Sequence, residues 1–271
     1  MDGASIRPRP QNKETMNQYG IPESEQEPKR FYTIPIPKDD YRILAVGDAH
    51  IPTHDEQTLS HAFDYGLKKK VECILLGGDM MDWYSLSTFE KLNRDLQSEI
   101  DCTVAFLRSL RNTFPKQKII WMDGNHDFRL DRFKMRLSKE IGTLRKLSVP
   151  ELIGLKDFDI EYYDNYATLQ FGKLYVMHGH KLAGAGKMAA RNKLMNAMDN
   201  VLFFHHHTVQ DFFVKTLNGN TVGSFAVGCC CQLRPDYSIH NNWMNGFAII
   251  KVDQDGNFTV DNKKIINGEV R

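Results

Sequence analysis

The sequence has few of the features that mark a secreted, membrane-bound or broadly basic protein. It contains 271 residues with only five cysteines and a net charge of +1, and no apolar run approaches the roughly 18 residues that a membrane-spanning helix needs. The small net charge excludes a global attraction to nucleic acid or membranes, so any such attraction must be local. With 41% hydrophobic and 25% charged residues, the composition is typical of a soluble globular protein with one large or two small domains.

The cysteines do not form a disulfide framework. Cys73, Cys102 and the run 229–231 lack a suitable spacing, and neighbouring cysteines rarely bridge one another. The run also lacks Cys-x-x-Cys spacing, so we interpret it as small hydrophobic side chains in a buried strand. The first residues lack the charged-then-apolar pattern of a secretion signal. We therefore expect a reduced, cytoplasmic protein without membrane association, and the sequence leaves its oligomeric state open.

The first 38 residues differ in composition from the rest. They are rich in Pro, Glu, Gln, Lys and Arg and poor in aliphatic residues, so they bury too little surface to offset the entropy of ordering. We predict a flexible N-terminal arm over residues 1–38 and a single domain over residues 39–271. Alternatively, the Pro35-Ile36-Pro37 segment could lie extended on the surface of the domain.

The first half of the domain predicts a parallel sheet. Three apolar runs indicate buried strands, and amphipathic helices are predicted between them, from about residue 53 and over about Ser87–Asn112. Strand–helix–strand order implies parallel pairing with right-handed crossovers, and ligands of such sheets bind beyond the carboxyl ends of the strands. The three predicted strands are Tyr41–Val46, Val71–Leu76 and Lys118–Met122.

The second half has shorter and more varied elements. Residues 128–148 predict a basic helix, and residues 185–198 another helix. Asn218-Gly219 and Asp255-Gly256 are strong hairpin turns between apolar runs. The strands predicted here are Ile160–Tyr163, Ala167–Phe171, Leu174–Met177 and Val201–Phe204. Together with the first half, this pattern predicts an α/β protein.

Residues 124–127, Gly-Asn-His-Asp, are more typical of a functional site than of a packed core. They follow a buried strand, after a glycine that permits a sharp turn. Side chains of the same character follow other predicted strands within a few residues. The seven candidate metal ligands are two carboxylates, one amide and four imidazoles: Asp48, His50, Asp79, Asn125, His178, His205 and His207. A lone histidine at a strand end is usually only hydrogen-bonded, but the convergence of seven such residues favours a metal site.

Mixed imidazole and carboxylate ligands suit transition metals rather than Ca or Mg. Divided between two metals with Asp79 shared, the seven residues give each metal both nitrogen and oxygen ligands. Two metals about 3.5–4 Å apart would activate water and hold two phosphate oxygens. We expect two divalent transition-metal ions, Mn in preference, with Fe, Zn or Ni as alternatives.

Five ordered motifs resemble the calcineurin-like metallophosphoesterase family over roughly residues 42–255. They are Gly-Asp-x-His at 47–50, Gly-Asp-x-x-Asp at 78–82, Gly-Asn-His-Asp at 124–127, His-Gly-His at 178–180 and x-His-x-His at 204–207. The resemblance implies two packed mixed β-sheets flanked by helices, a four-layer sandwich.

The resemblance also implies residue roles. Asp48, His50 and His207 would bind one metal, while Asn125, His178 and His205 would bind the other, with Asp79 bridging. His126 would donate a proton to the leaving group, and Asp127 would orient it.

The sequence departs from the family pattern at one position. Phe204 stands where the family usually has glycine before the last pair of histidines, so an alternative register would use His206 as a ligand.

The function implied is hydrolysis of phosphoesters, with protonation of a departing alkoxide by His126. The basic stretch 128–148 favours a polyanionic substrate such as DNA, RNA or a nucleotide, although a solvated helix face explains it equally well. Arg129 and Lys181, next to the motifs, are the candidate phosphate contacts. Trp83 and Tyr84 could stack on a base, but packing in the core explains them somewhat better.

We therefore predict a phosphodiesterase, a nuclease or nucleotide hydrolase. Asp123 replaces the arginine that usually precedes Gly-Asn-His in protein phosphatases, which disfavours that branch. The alternatives are a phosphomonoesterase and a metal-stabilised binding or scaffold subunit with little or no turnover; the second is disfavoured because the ligands and His126 are all present.

Overall fold

The computed structural model describes residues 18–21, 30–87, 95–164, 166–184, 186–235, 238 and 240–271. The chain separates into two units, residues 1–30 and Phe31–Arg271. In the first unit, residues 18–20 form a turn. The second unit contains the elements described below, and each of its helices is too short or too polar to span a lipid bilayer.

Two mixed sheets form the second unit. The strands in chain order are β1 (Phe31–Thr33), β2 (Tyr41–Val46), β3 (Cys73–Leu76), β4 (Lys118–Met122), β5 (Ile160–Tyr163), β6 (Thr168–Phe171), β7 (Leu174–Met177), β8 (Val201–Phe203), β9 (Gln210–Lys215), β10 (Thr221–Ala226), β11 (Gly246–Val252), β12 (Phe258–Ile266) and β13 (Glu269–Val270). The seven-stranded sheet has the order β13-β12-β11-β2-β3-β4-β5, and the six-stranded sheet has the order β1-β6-β7-β8-β10-β9.

The described residues contain six α-helices: α1 (Glu56–Lys69), α2 (Leu96–Thr113), α3 (Arg129–Leu137), α4 (Lys139–Gly142), α5 (Val149–Leu152) and α6 (Ala189–Ala197). Short 3-10 turns lie at Tyr84–Leu86 and Leu155–Phe158. The long helices begin at side-chain caps: Asp55 accepts from the Thr58 amide before α1, and Asp95 accepts from Gln97 and Ser98 before α2.

Strand alternation builds a core on each face of the seven-stranded sheet. Ile43 and Ala45 of β2 face the six-stranded sheet and pack with Leu169 and Leu202, whereas Leu44 and Val46 lie on the helix-covered face, where α1 contacts β2. On the far face of the six-stranded sheet, the alanines of α6 cover Phe203. The layers are therefore helix, sheet, sheet and helix, and the predicted fold class is confirmed.

Strands β2 to β5 pair in parallel, as do β7 and β8, so each sheet gathers several carboxyl ends at one edge. The two predicted hairpins are present, since β9 pairs antiparallel with β10 across Asn218-Gly219, and β11 with β12 across Asp255-Gly256.

Several element boundaries differ from the sequence prediction. The long helix begins at Leu96 rather than near Ser87, and its expected apolar residues Phe89 and Leu92 lie outside the described residues. The basic stretch 128–148 forms two helices, α3 and α4, since Ser138 adopts an extended conformation and caps α4.

The predicted arm over residues 1–38 falls largely outside the described residues. Within its last part, however, Phe31–Thr33 is an edge strand that pairs in parallel with β6, and Ile34 is buried. The prediction of flexibility was therefore wrong for residues 31–34, because a three-residue edge strand with one buried aliphatic residue has too little pattern to be recognised.

Candidate metal centre

The ends of five strands bring the predicted ligands to one edge of the two sheets. Asp48 and His50 follow β2, Asp79 follows β3, and Asn125 follows β4, while the histidines at 178, 205 and 207 follow β7 and β8. Backbone hydrogen bonds connect the first two loops, from the Asp48 amide to the Gly78 carbonyl and from the His50 amide to the Asp79 carbonyl. The two sheets are joined at the site by the His205 amide, which donates to Asp48 Oδ2 over 2.9 Å.

The side chains divide into two groups around Asp79. In the first, His207 Nε2 lies 3.2 Å from His50 Nε2 and 3.4 Å from Asp48 Oδ1. In the second, His178 Nε2 lies 3.2 Å from Asn125 Oδ1 and 3.3 Å from Asp79 Oδ2. Donor atoms of Asp79, His178 and His205 all lie within 4.8 Å of one another. The structure thus brings all seven predicted ligands together.

Several buried atoms at the site are suited to a cation. Asp48 is fully buried, and its Oδ1 has no hydrogen-bond partner among the described residues. A buried carboxylate oxygen without a donor is costly unless a positive charge faces it. The facing Nε2 atoms of His50 and His207 have room for at most one hydrogen between them, so at least one of the two presents a lone pair there. The donor set therefore fits a divalent metal.

The backbone at the site is strained. Of the eleven non-glycine residues with positive φ among those described, five are predicted ligands: Asp48, His50, Asp79, His205 and His207. This conformation costs on the order of 1–3 kcal/mol for each residue and accumulates where surrounding structure holds side chains for function.

The carboxylates divide the imidazoles into two electrostatic types. Burial alone would lower the pKa of His178, but the Asp79 carboxylate outweighs it and raises that pKa to about 9. Asp48 likewise raises the pKa of His207 against the effect of burial. In contrast, burial and the nearby imidazolium of His178 lower the pKa of His205 to about 4. Burial also lowers the pKa of His50, whose ring is therefore neutral at pH 7.

His126 pairs with a different carboxylate from the one predicted. Its Nδ1 lies 2.8 Å from Asp82 Oδ1, whereas Asp127 is buried and accepts from the amides of Asp79 and Gly124 over 2.8 and 2.9 Å. The expectation that Asp127 orients His126 was therefore wrong. Residues 125–128 form a turn, so neighbouring side chains point in different directions, and Asp127 instead ties together the loops after β3 and β4.

The ionisation of these two carboxyls differs. Burial would raise the pKa of Asp82, but hydrogen bonds from His126 and His50 hold it well below its usual range. Burial and the negative charge of Asp79 raise the pKa of Asp127 to about 7. Asp82 is therefore the carboxylate that stays ionised beside the His126 ring.

The register of the last histidine pair follows from the same geometry. His205 lies with His178, and His207 lies with His50, whereas the ring of His206 packs edge-on against Phe203, with 5.8 Å between ring centroids. Phe204 is fully buried and occupies the space beside Gly47 and Gly77, where an added Cβ would lie 2.5 and 2.1 Å from its ring. The departure from the family pattern is thus accommodated by two glycines on the opposite sheet.

The two predicted phosphate contacts have different surroundings. Arg129 Nη1 donates to the Asp82 carbonyl oxygen over 2.8 Å, and its Nη2 lies 3.2 Å from His126 Nε2. Arg129 also lines a pocket of about 250 Å³ beside His126. Lys181 is exposed, and its Nζ lies over the Tyr166 ring, 4.6 Å from the centroid.

Sequence reasoning missed two residues near the histidines. Trp243 lies edge-on to the His207 ring with 4.1 Å between centroids, and it lines a second pocket of about 450 Å³. Cys231 Sγ lies 4.0 Å from His207 Nδ1, although the cysteine run is buried as predicted. Neither residue belongs to a recognisable motif. Trp83, considered for base stacking, is instead fully buried in the core.

Comparisons with known proteins find distant similarities. The "Gene 54 protein" of Mycobacterium phage L5 is 24% identical over 233 residues, which cover 78% of this chain and 89% of that protein. Among solved structures, Vacuolar Protein Sorting 29 from Cryptosporidium parvum gives a TM-score of 0.49 at 13% identity over 86% of this chain and 96% of that one. A dimetal phosphatase from Danio rerio gives 0.41 at 10% identity over 83% and 96%. Likeness at this level carries no information on function.

The sequence model of the calcineurin-like phosphoesterases matches residues 41–240. This range includes all seven candidate ligands, His126 and Asp82. The chain therefore belongs to the calcineurin-like phosphoesterase family.

Proposed function

We propose that the protein is a two-metal phosphodiesterase that acts on nucleic acid or nucleotides. The observation that carries the proposal is the set of seven ligand-type side chains around Asp79. It includes Asp48 Oδ1, which accepts no hydrogen bond from the described residues, and the 3.2 Å approach of His50 Nε2 to His207 Nε2. Asp48, His50 and His207 would hold one metal, and Asn125, His178 and His205 the other, with Asp79 between them. When bound, such a pair activates water and neutralises charge on the phosphate oxygens.

His126 is the proposed proton donor to the leaving group. The ionised Asp82 lies 2.8 Å from Nδ1 and fixes the orientation of the ring. Nε2 is the ring atom that would hold the proton for a departing alkoxide. Arg129 lies next to this atom and can meet the negative charge of the phosphate as the leaving group departs.

Two features support a diester as the substrate. A phosphodiester has two substituents on phosphorus, and the described residues form one pocket beside His126 and another beside Trp243, which contacts His207. In the second pocket Trp243 offers a ring on which a base can stack, and Arg234 adds positive charge. An aromatic ring and a positive charge in one pocket suit a nucleotide.

The described cysteines are free, which suits a reducing compartment such as the cytoplasm.

The test measures the hydrolysis of simple esters by protein of controlled metal content. Protein stripped with a chelator should be inactive, and Mn, Fe, Zn or Ni should restore hydrolysis of bis-p-nitrophenyl phosphate, with Mn the most effective. The diester should be hydrolysed with a larger kcat/KM than p-nitrophenyl phosphate. Faster hydrolysis of the monoester would instead indicate a phosphomonoesterase, and tight metal binding without turnover of any ester would indicate a scaffold.

A further inference from the structure

The basic helix α3 has two faces with different surroundings. Lys134 is buried. Its Nζ donates to the Leu147 carbonyl over 2.7 Å and lies 2.5 Å from Asp131 Oδ1, so its positive charge is paired within the fold. Arg129, Arg132 and Arg136 are spaced three and four residues apart, which places them on one face of the helix. All three line the pocket beside His126. The positive charge of α3 is thus concentrated at the candidate site.

The pocket has the composition of an anion site. The other described residues that line it are Leu86, Ser87, Asn125 and His126, so the described part of its lining has three guanidinium groups and no carboxylate. Arg129 is already bonded to Asp82, and Arg132 donates to the Asn125 carbonyl oxygen over 2.9 Å. Arg136 is exposed, and within the described chain neither it nor Arg132 forms an ion pair. Guanidinium groups of this kind match the geometry of phosphate oxygens.

The size and position of the pocket indicate which phosphate it takes. About 250 Å³ is less than the roughly 300–1,000 Å³ of pockets that enclose a whole small molecule, so the pocket suits one group of a larger substrate. It lies on the side of His126 where Nε2 meets Arg129, the side on which the leaving group departs. From Arg132 to Arg136 it extends about 6 Å along the helix axis, beyond the centre where the scissile phosphate would lie.

We infer that Arg132 and Arg136 bind a second phosphate of the substrate, carried by the leaving group. This inference rests on the proposed phosphodiesterase function and narrows its substrate to a molecule with two linked phosphates. An oligonucleotide strand and a nucleotide with an additional terminal phosphate both have this chemistry. Substrates with a single charged group use the metal centre but leave this subsite empty.

The test uses thymidine dinucleotides with one internal diester. The unphosphorylated dinucleotide is compared with the same molecule bearing a terminal phosphate at its 5′ or its 3′ end, and bis-p-nitrophenyl phosphate is the substrate without a second phosphate. The wild-type protein should cleave at least one of the phosphorylated dinucleotides with a kcat/KM about tenfold larger than that of the unphosphorylated one. Arg136→Gln should abolish this advantage, with a much smaller effect on hydrolysis of bis-p-nitrophenyl phosphate.

Arg145→Gln is the matched control, because it removes the same charge from an exposed position of the same basic stretch outside the pocket. It should leave every substrate unaffected. Binding of a single-stranded thymidine oligonucleotide to chelator-treated protein gives a second readout. There, Arg136→Gln should reduce the slope of log affinity against log salt by about 0.7, the value for one lost phosphate contact, and Arg145→Gln should not.

Two results overturn the inference while the proposed function stands. One is hydrolysis of bis-p-nitrophenyl phosphate without any advantage of a terminal phosphate, and the other is an equal effect of Arg136→Gln and Arg145→Gln on the phosphorylated substrates. If wild-type protein loaded with any of the four metals hydrolyses no ester at all, the proposed function itself fails. The relative rates on a longer oligonucleotide and on the phosphorylated dinucleotides then separate a strand from a short nucleotide as the source of the second phosphate.

Discussion

The two sheets contribute chemically different halves of the candidate metal centre. The loops of the seven-stranded sheet supply every candidate oxygen ligand, from Asp48, Asp79 and Asn125, together with His50, whereas the six-stranded sheet supplies only imidazoles among the seven candidates. The first set of loops is tied internally by Asp127 and by backbone hydrogen bonds, and the second set reaches it through His205 and Asp48. Neither sheet holds a complete donor set, so the centre depends on how the sheets pack.

The largest expected effect is on the residue between the two groups. Asp79→Asn removes the charge that faces His178 and the proposed bridge between the metals, so we expect hydrolysis of bis-p-nitrophenyl phosphate to fall on the order of 10⁴-fold, with loss of bound metal. Metal content and kcat/KM measured on the same sample check this. Asp131→Asn, which alters a carboxylate on the inward-facing part of α3, is the control. Unchanged metal content in Asp79→Asn would show that the two groups do not share this residue.

Packing between the sheets is tested at Phe204. Because this ring fills the space beside Gly47 and Gly77, Phe204→Ala should lower the free energy of unfolding by about 3–5 kcal/mol and also weaken metal binding. Phe171→Ala removes an equally buried ring between the same sheets, away from the ligand loops. It should cost similar stability without changing metal affinity. Equal metal affinities of the two folded variants would contradict the dependence of the centre on Phe204.

The revised role of Asp82 gives a third prediction. His126→Ala and Asp82→Asn should each lower kcat on a dinucleotide by about 10²–10³-fold, yet spare most of the hydrolysis of bis-p-nitrophenyl phosphate, whose leaving group needs no proton. Asp127→Asn should instead impair both substrates in proportion, because Asp127 holds the loop amides. If Asp127→Asn rather than Asp82→Asn reproduced the substrate pattern of His126→Ala, the assignment of Asp82 would be wrong.

The smallest expected effect is a pH dependence of metal binding. In metal-free protein the pKa of His178 is about 9 and that of His207 is also raised, so both rings are protonated at pH 7 and must lose their protons to bind metal. The attraction of His178 to Asp79 stabilises metal-free protein fully below about pH 6.5 and is lost as the pH rises through 9. The attraction of His207 to Asp48 is likewise lost as the pH rises through the raised pKa of His207.

The increase in Tm caused by Mn should therefore grow between pH 6.5 and 9. Calorimetry in buffers of different ionisation enthalpy should detect the release of roughly two protons per chain at pH 7. Replacement of His205, whose pKa is lowered to about 4, should not alter that number. Metal binding without proton release would contradict the charged state of His178 and His207.

The sequence predicted the seven-stranded half of the molecule better than the six-stranded half. Strands β2 to β4 are largely apolar runs, each followed directly by glycine or aspartate. Parallel pairing puts the ends of these strands at one edge of the sheet, so Asp48, Asp79 and Asn125 could be placed together from the sequence alone. The histidines and their separation into two groups were expected only from the motifs of the family, not from the pattern of strands. Strand β1 has three residues and no periodicity, so it was not recognised.

Other features depend on contacts that no local pattern encodes. Asp82 and Asp127 lie in motifs of equal quality, and only the direction of each side chain in its loop decides which one meets His126. The exchange of glycine for Phe204 is matched by Gly47 and Gly77, more than 120 residues away in the chain. Trp243 reaches His207 from a loop with no recognisable signal.

The most direct measurement is the number of metal ions held by each chain. Protein stripped with a chelator, equilibrated with Mn and freed of excess metal should contain two ions per chain, and His178→Ala should contain fewer while His206→Ala still contains two. Wild-type protein that retains no metal would contradict a centre built from both sheets. So would wild-type protein that retains one ion per chain, if His178→Ala and His206→Ala change its metal content equally.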